Sequence, residues 1–197
     1  MSYKIERFDK AKHKRTGFKC EEQSLTDYLK KQLAQDEKRN LAKGYVLVNE
    51  ANETNAVLGF YTLTAFSVLL DANDLEQYQA QTTTKGFSKI PPTMQAPAVL
   101  IGRLARHSDL RGTRAGERLL MDALQVVLAV ANLYAVHFVV VDAINDHAKA
   151  FYKRYGFLEF GKVKNRLYLP LKTIEQQCRA SYESTCEASD SLVKRLS

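Results

Sequence analysis

Hydrophobic positions along this chain switch between two periods. Residues 3–8, YKIERF, alternate apolar and polar side chains, the spacing of a strand with one buried face. After a basic link, DKAKHKRTGFKC, the residues Leu25, Tyr28, Leu29 and Leu33 recur at helical spacing. Ser24 precedes them, with Asp27 three residues after it in a capping-box arrangement, so a helix is predicted over 25–39. GYVLVNE and AVLGFYTLTAFSVLL are rich in β-branched and aromatic residues and flank the polar turn ANETN, which predicts a hairpin. Residues 71–97 break the pattern: they are polar and hold three of the four prolines, and they read as an inserted loop with one short helix near 73–80.

The next segment, AVLIGRLA (98–105), is apolar on both parities except at Gly102 and Arg103, as in a strand covered on both faces. A helix follows, with Leu119, Leu120, Ala123, Leu124, Val127, Leu128 and Ala131 on one broad stripe widened by Met121, Val126 and Val130. VHFVVVDA (136–143) is a second continuous apolar strand, so this stretch predicts a right-handed βαβ unit with parallel strands. INDHAKAFYKRYGF adds a short helix stopped at Gly156, and two strands near 157–163 and 166–171 close the pattern. The predicted order is β-α-β-β-β-α-β-α-β-β, an α/β fold with a mixed sheet in one domain over 1–175. A polar tail, 176–197, follows, with room for a short helix around 189–196 and no assigned function.

Charge and composition narrow the function classes. Twenty-nine Lys and Arg against 22 Asp and Glu leave a net charge of +7, which favours polyanionic partners, whether a phosphorylated cofactor or nucleic acid. Cys20, Cys178 and Cys186 have no CxxC or Cys/His spacing, so reduced thiols are expected and no metal site is predicted. The opening MSYKIERFDKAKHKR lacks the apolar core of a signal peptide, and no run of roughly 18 apolar residues occurs, so the expectation is a soluble cytoplasmic protein with no membrane association.

Candidate chemistry concentrates at LRGTRAGERLL (110–120), where glycines, arginines and a threonine open a helix. A helix N-terminus exposes unpaired N–H groups and partial positive charge, so this entrance is a candidate anion cradle. No Gly-Lys-Ser/Thr follows the glycines, which excludes a P-loop. The helix after Gly116 is too apolar to face a DNA groove.

The strand AVLIGRLA, the turn RGTRAG and the segment AFYKRYGF, in this order of elements, resemble the GCN5-related N-acetyltransferases, over roughly residues 3–172. FKCEEQSLTDYLKKQLAQDEKRNLAKGYVLV, GFYTLTAFSV and RLYLPL are more narrowly similar to the acetyltransferase toxins of bacterial toxin–antitoxin modules. The resemblance implies a mostly antiparallel sheet with one parallel pair that splays apart, and acetyl-coenzyme A as cosubstrate. The family's pyrophosphate turn, Arg/Gln-x-x-Gly-x-Gly/Ala, falls on Arg111, Gly112, Thr113, Arg114, Ala115 and Gly116, with Glu117 next to it. Arg114 replaces the expected glycine, which removes conformational freedom and either adds a guanidinium–phosphate contact or weakens binding.

By the same resemblance, the pantetheine arm pairs with the backbone of Leu104, Ala105 and Arg106, and Phe151 borders the cofactor. Tyr152 matches the family's tyrosine that protonates the leaving thiolate, with Tyr155 beside it reading as core. Asn145 either caps its helix or touches the cofactor. Arg103 either contacts the acceptor or forms a structural ion pair, because a charge within a buried strand needs a partner. His107 is either a proton relay or a surface residue. Lys30, Lys31, Lys38 and Arg39 either steer a polyanion or form a solvated face; of these, Lys30, Lys31 and Arg39 join Arg103 as candidate acceptor contacts.

The implied activity is acetyl transfer to the α-amine of aminoacyl-tRNA, which blocks translation. The implied partners are a cognate antitoxin of the ribbon-helix-helix type and a second copy of the chain in a homodimer. Two rivals stay open: an acetyltransferase for protein or small-molecule amines, and a non-catalytic binding module.

Overall fold

A computed structural model of the chain describes residues 3–51, 54–81, 95–159 and 161–176. Its centre is a six-stranded sheet in sequence order, with β1 (Tyr3–Arg7), β2 (Lys43–Asn49), β3 (Gly59–Leu69), β4 (Gln95–Arg106), β5 (Phe138–Asp142) and β6 (Arg166–Pro170). All neighbours are antiparallel except β4 and β5, which run parallel from Ala98 opposite Phe138 to Ile101 opposite Val141. The predicted mixed α/β sheet with one parallel pair is the fold observed.

Period-2 alternation sorts the strand residues to two faces. On one face, Tyr61, Val99, Ile101, Val139 and Val141 pack beneath α4 (Ala115–Ala131) and α5 (Asp146–Arg154). On the other, Phe60, Val46 and Ala105 meet the first helical segment, while Phe138, Val140 and Ala98 meet α3 (Ala72–Gln81). The apolar stripe of α4 is buried at Leu119, Leu120, Ala123, Leu124 and Val127, as its spacing predicts. No helix among the described residues is long and apolar enough to cross a membrane.

Three local readings change. The helix expected over 25–39 is three pieces: α1 (Gln23–Asp27), a π turn at Tyr28–Gln32 and α2 (Leu33–Lys38). The Leu33 N–H reaches back five residues to the Tyr28 carbonyl. The capping box does not form, because Glu22 holds the N-cap position without a side-chain cap bond. Asp27 accepts from Gln23 Nε2 at 3.2 Å and pairs with Lys31 at 3.1 Å instead.

The strand expected over 157–163 is a single bridge, Leu158 to Tyr168. Left-handed backbone at Gly161 and Asn165 turns the chain there, and Lys149 and Lys153 hold Glu159 against α5 at 2.7 and 2.8 Å. β4 begins three residues earlier than its apolar run, at Gln95, directly after the part of the 71–97 insertion that lies outside the described residues. The short helix predicted near 73–80 is α3, whose start is fixed by reciprocal bonds between Asp71 and Asp74. Cys178, Cys186 and the helix expected around 189–196 also lie outside the described residues.

Glu6 on β1 takes Lys12 at 2.6 Å and His13 at 3.0 Å, tying the strand to the following loop. The Lys12 hydrogen bond first, and His13 second, hold its carboxyl down at about 2. A depressed carboxylate stabilises the fold fully above its unfolded range and loses that contribution as pH falls through the folded value. Acid unfolding followed by circular dichroism should therefore steepen between pH 4.5 and 2, and Glu6→Gln should flatten that limb.

Candidate active site

The parallel pair opens because β4 outruns β5. Past Ile101, β4 continues to Arg106, while β5 stops at Asp142. On its other side, Arg103 lies opposite Thr62 and Ile101 opposite Leu63, so Gly102 is the extra residue of a β-bulge. A bulge bends its strand and shifts the parity of the residues beyond it. Ile101 belongs to the core under α4, yet Ala105, of the same parity, packs on the opposite face, and Leu104 takes the α4 side.

Two hollows meet in the opening. The larger, about 660 Å³, lies between α1, the π turn and the bulge. The smaller, about 290 Å³, reaches along Leu104, Ala105 and Arg106 towards Arg111 and Gly116. Leu25, Leu104, Ile144, Ala148 and Tyr152 line both, so Tyr152 stands where they join.

Tyr152 is 7% exposed. Its ring packs between Phe151 and Phe157, at centroid distances of 5.2 and 5.3 Å. Its carbonyl accepts from Phe157 N and that of Lys153 from Gly156 N, with Gly156 at φ +83°: a Schellman ending that fixes the last turn of α5. Burial pushes the phenol above its usual value, so it is protonated at neutral pH and able to donate. Tyr155 is partly buried against the same core, as predicted.

The turn before α4 distributes its demands differently from the sequence expectation. Left-handed backbone falls on Gly112, at φ +78°, whereas Arg114 has φ −80°, open to any side chain. Arginine in place of glycine therefore introduces no backbone strain. Its side chain is 95% exposed and lies 4.0 Å from Glu117. Thr113 Oγ1 accepts from Ala115 N at 3.2 Å, which leaves Gly116 and Glu117 N–H as first-turn donors without intrahelical acceptors. Gly116 lies under Phe151, where an added Cβ would stand 3.8 Å from the ring.

The remaining candidates take varied places. Asn145 is the α5 N-cap, accepting from Ala148 N at 2.9 Å, and its Nδ2 donates to Glu22 Oε1 at 2.9 Å across the smaller hollow. Arg103 is not a buried ion pair: it is exposed, stacks over Tyr28 at 4.6 Å and lines the larger hollow. His107 is not a surface residue. It is buried, Nδ1 accepts from Asp109 N at 3.1 Å, and Nε2 lies 3.2 Å from the Gly17 carbonyl. The basic helix residues are dispersed: Lys31 lines the larger hollow, Lys30 a separate one with Lys14 and Arg15, and Lys38 and Arg39 are exposed near the end of α2.

Two participants carry no sequence signal. Glu21 pairs with Arg106 at 3.0 Å at the mouth of the smaller hollow and also lies in the field of Arg111. Tyr28, which its spacing places in the core, forms a wall of the larger one.

The donor set suits a diphosphate-bearing thioester. Arg106 and Arg111 line the smaller hollow with Gly116, in the first turn of a 17-residue helix that Arg114 caps, and among the described residues the β5-facing edge of β4 past Ile101 is open to pair with an extended amide arm. Among the described residues, no group of three or more His, Cys, Asp or Glu is placed to hold a metal ion.

Residues 12–157 match the model of the acetyltransferase (GNAT) family. A similar protein, "Probable toxin TacT" of Sinorhizobium fredii (strain NBRC 101917 / NGR234), is 28% identical over 177 residues, covering 86% of this chain and 92% of its own. The solved structure of AtaT complexed with acetyl-methionyl-tRNAfMet superposes with a TM-score of 0.76 at 29% identity, covering 89% of this chain and 99% of that one. The structure of AtaTR bound with AcCoA gives 0.70 at 27% identity, covering 89% and 97%.

Proposed function

The chain belongs to the GNAT acetyltransferase family, N-acetyltransferases that use acetyl-coenzyme A, and from that premise we propose that its acceptor is the α-amine of an aminoacyl-tRNA. Acetylation blocks the amine that translation requires, which makes the protein a toxin, and a cognate antitoxin of the ribbon-helix-helix type holds it in check. The active form is a homodimer. The relatives support this reading: one similar protein is named a probable toxin, and a neighbouring structure holds an acetylated methionyl-tRNA.

The observation that carries it is Tyr152, a buried, protonated phenol at the junction of two hollows of different character. The smaller offers Arg106, Arg111 and the α4 N-terminus to the diphosphate. The larger offers an apolar wall with Arg103 and Lys31 at its rim to the acceptor. Bound acetyl-coenzyme A supplies an acetyl thioester. The open edge of Leu104–Arg106 aligns the arm, and Gly116 and Glu117 N–H hold phosphate oxygens. The neutral amine adds to the thioester carbonyl and forms the C–N bond; as the C–S bond breaks, Tyr152 Oη donates its proton to the departing sulfur, and the proton shed by the nitrogen returns through water to the phenolate.

The chain does not need a dedicated base. An aminoacyl ester amine titrates at or below the ~7.7–8.0 of a peptide α-amine, so a neutral fraction is already present. His107, with both nitrogens engaged, has no part in the transfer.

Incubation with labelled acetyl-coenzyme A, total charged tRNA, peptides and polyamines tests the acceptor. Label on the α-amine of charged tRNA is the expected result. Label on peptides or polyamines with charged tRNA untouched transfers the activity to the rival acceptors. Failure to bind acetyl-coenzyme A in calorimetry leaves only a binding module.

A further inference from the structure

Tyr28 opens the π turn, and its ring is held from two sides. Its hydroxyl donates to Asp36 Oδ2 at 2.9 Å, and the ring lies nearly parallel to the fully buried Phe60, with centroids 6.3 Å apart and planes 14° from each other. The Arg103 guanidinium sits over this fixed ring, 4.6 Å from its centroid. The bulge at Gly102 is what brings Arg103 to this face of the sheet.

Among the described residues Arg103 pairs with no carboxylate; its Nη1 donates to the Gly102 carbonyl at 2.9 Å, which uses part of the fork. Arg103 is exposed and lines the larger hollow together with Tyr28 and Tyr152. The other charges on that hollow are the Asp27 and Asp142 carboxylates, neutralised by Lys31 and by the double contact from Arg166. Such a lining gives a deep phosphate little net attraction. It does offer a planar cation, held over an aromatic ring and exposed at the cavity wall.

Unpaired nucleobases stack on guanidinium and aromatic planes, and this stacking is how single-stranded RNA ends are commonly held. We propose that the Arg103–Tyr28 pair receives the terminal base of the RNA 3′ end that carries the amine, and so positions the aminoacyl ester towards Tyr152. This rests on aminoacyl-tRNA being the acceptor. Arg103 is a positioning residue in this scheme, since it touches the carrier nucleotide and not the reacting atoms. It also separates charged tRNA from free amines and peptide N-termini, which carry no nucleobase.

The test compares Arg103→Ala, Arg103→Lys and Tyr28→Leu with the wild type, measuring kcat and KM for charged tRNA and Kd for acetyl-coenzyme A. Loss of a stacked base weakens binding by roughly 5- to 150-fold. The expected result is a KM for charged tRNA raised at least about fivefold in all three variants, with kcat little changed and Kd for acetyl-coenzyme A unaltered. Lysine keeps the charge and loses the plane, so it should fail to rescue. Rescue by lysine, with only alanine impaired, would identify a phosphate contact and overturn the proposal, as would wild-type KM values in both Arg103 variants. A wild-type protein that labels peptides and ignores charged tRNA refutes the acceptor assignment itself. Unaltered Kd for acetyl-coenzyme A shows each variant folded; should Tyr28→Leu fail that check, the two Arg103 variants decide.

Discussion

Tyr152→Phe is expected to lower kcat about 100-fold while leaving the Kd for acetyl-coenzyme A within about twofold. A positioned general acid contributes roughly 10²–10⁴-fold. The lower end applies because a thiol of pKa ~8.5 is already a good leaving group near neutral pH. Phenylalanine keeps the ring that packs between Phe151 and Phe157, and among the described residues no hydrogen bond of the fold uses the Tyr152 hydroxyl. The substitution therefore removes a proton and little else. Calorimetry and a single-turnover assay with labelled acetyl-coenzyme A separate the two effects.

The pH profile gives an independent reading. Burial raises the Tyr152 phenol above its usual value of 10.0, so the donor persists in the alkaline range. Activity should rise as the acceptor amine loses its proton, through pH ~7.7–8.0, and should not fall again near pH 10. In Tyr152→Phe the rising limb should remain, since it belongs to the substrate. Undiminished turnover in that variant would remove Tyr152 from the role of acid, whereas an alkaline limb near pH 10 that is present in the wild type and absent from Tyr152→Phe would keep the role and show that burial does not raise the phenol.

Much of the architecture behind this site is legible in the chain. VHFVVVDA is a continuous apolar run and the α4 stripe is long and strongly periodic, and tertiary packing has no competing pattern to impose on them. The α5 ending is readable at Gly156, because few other residues accept φ +83°. Asn145 is readable as a cap by residue type.

The hidden features depend on single-residue shifts in register. AVLIGRLA gives no sign that Gly102 is a bulge, yet the bulge decides the face on which Arg103 emerges. With uninterrupted alternation, Arg103 would share the face of Ile101 under α4, and a buried ion pair would be the reasonable expectation. One extra residue sends it to Tyr28 instead. The π turn at Tyr28–Gln32 is hidden for the same reason: Leu25, Tyr28, Leu29 and Leu33 fit an uninterrupted α-helix as well as a widened one. In the turn before α4 the left-handed residue is Gly112, so the glycine missing at position 114 costs less than the motif alone suggests.

A stability experiment can test how α4 is seated, on which the position of the proposed diphosphate cradle depends. Gly59, at the start of β3, faces Leu119 in the second turn of α4. An added Cβ would stand 2.8 Å from Leu119 Cδ1 and 3.2 Å from the Ala105 carbonyl oxygen. Leu119 is fully buried, the Ala105 oxygen is backbone, and Ala105 belongs to the edge proposed to align the cofactor arm. Gly59→Ala should therefore destabilise the fold by about 1–3 kcal/mol through overpacking and weaken acetyl-coenzyme A binding by disturbing β4. Leu119→Ala should cost about 2–5 kcal/mol through lost burial and a residual cavity.

The pair should be strongly non-additive. In the double variant the methyl group added at 59 enters space vacated at 119, so the combined loss should fall short of the sum by at least about 1 kcal/mol. Urea unfolding with unchanged m-values is the appropriate measurement, since it separates a change in stability from a change in the unfolded chain. Strict additivity would mean that α4 does not rest on Gly59, and the first-turn N–H groups of Gly116 and Glu117 would then not be held against the end of β4 where a diphosphate must reach them.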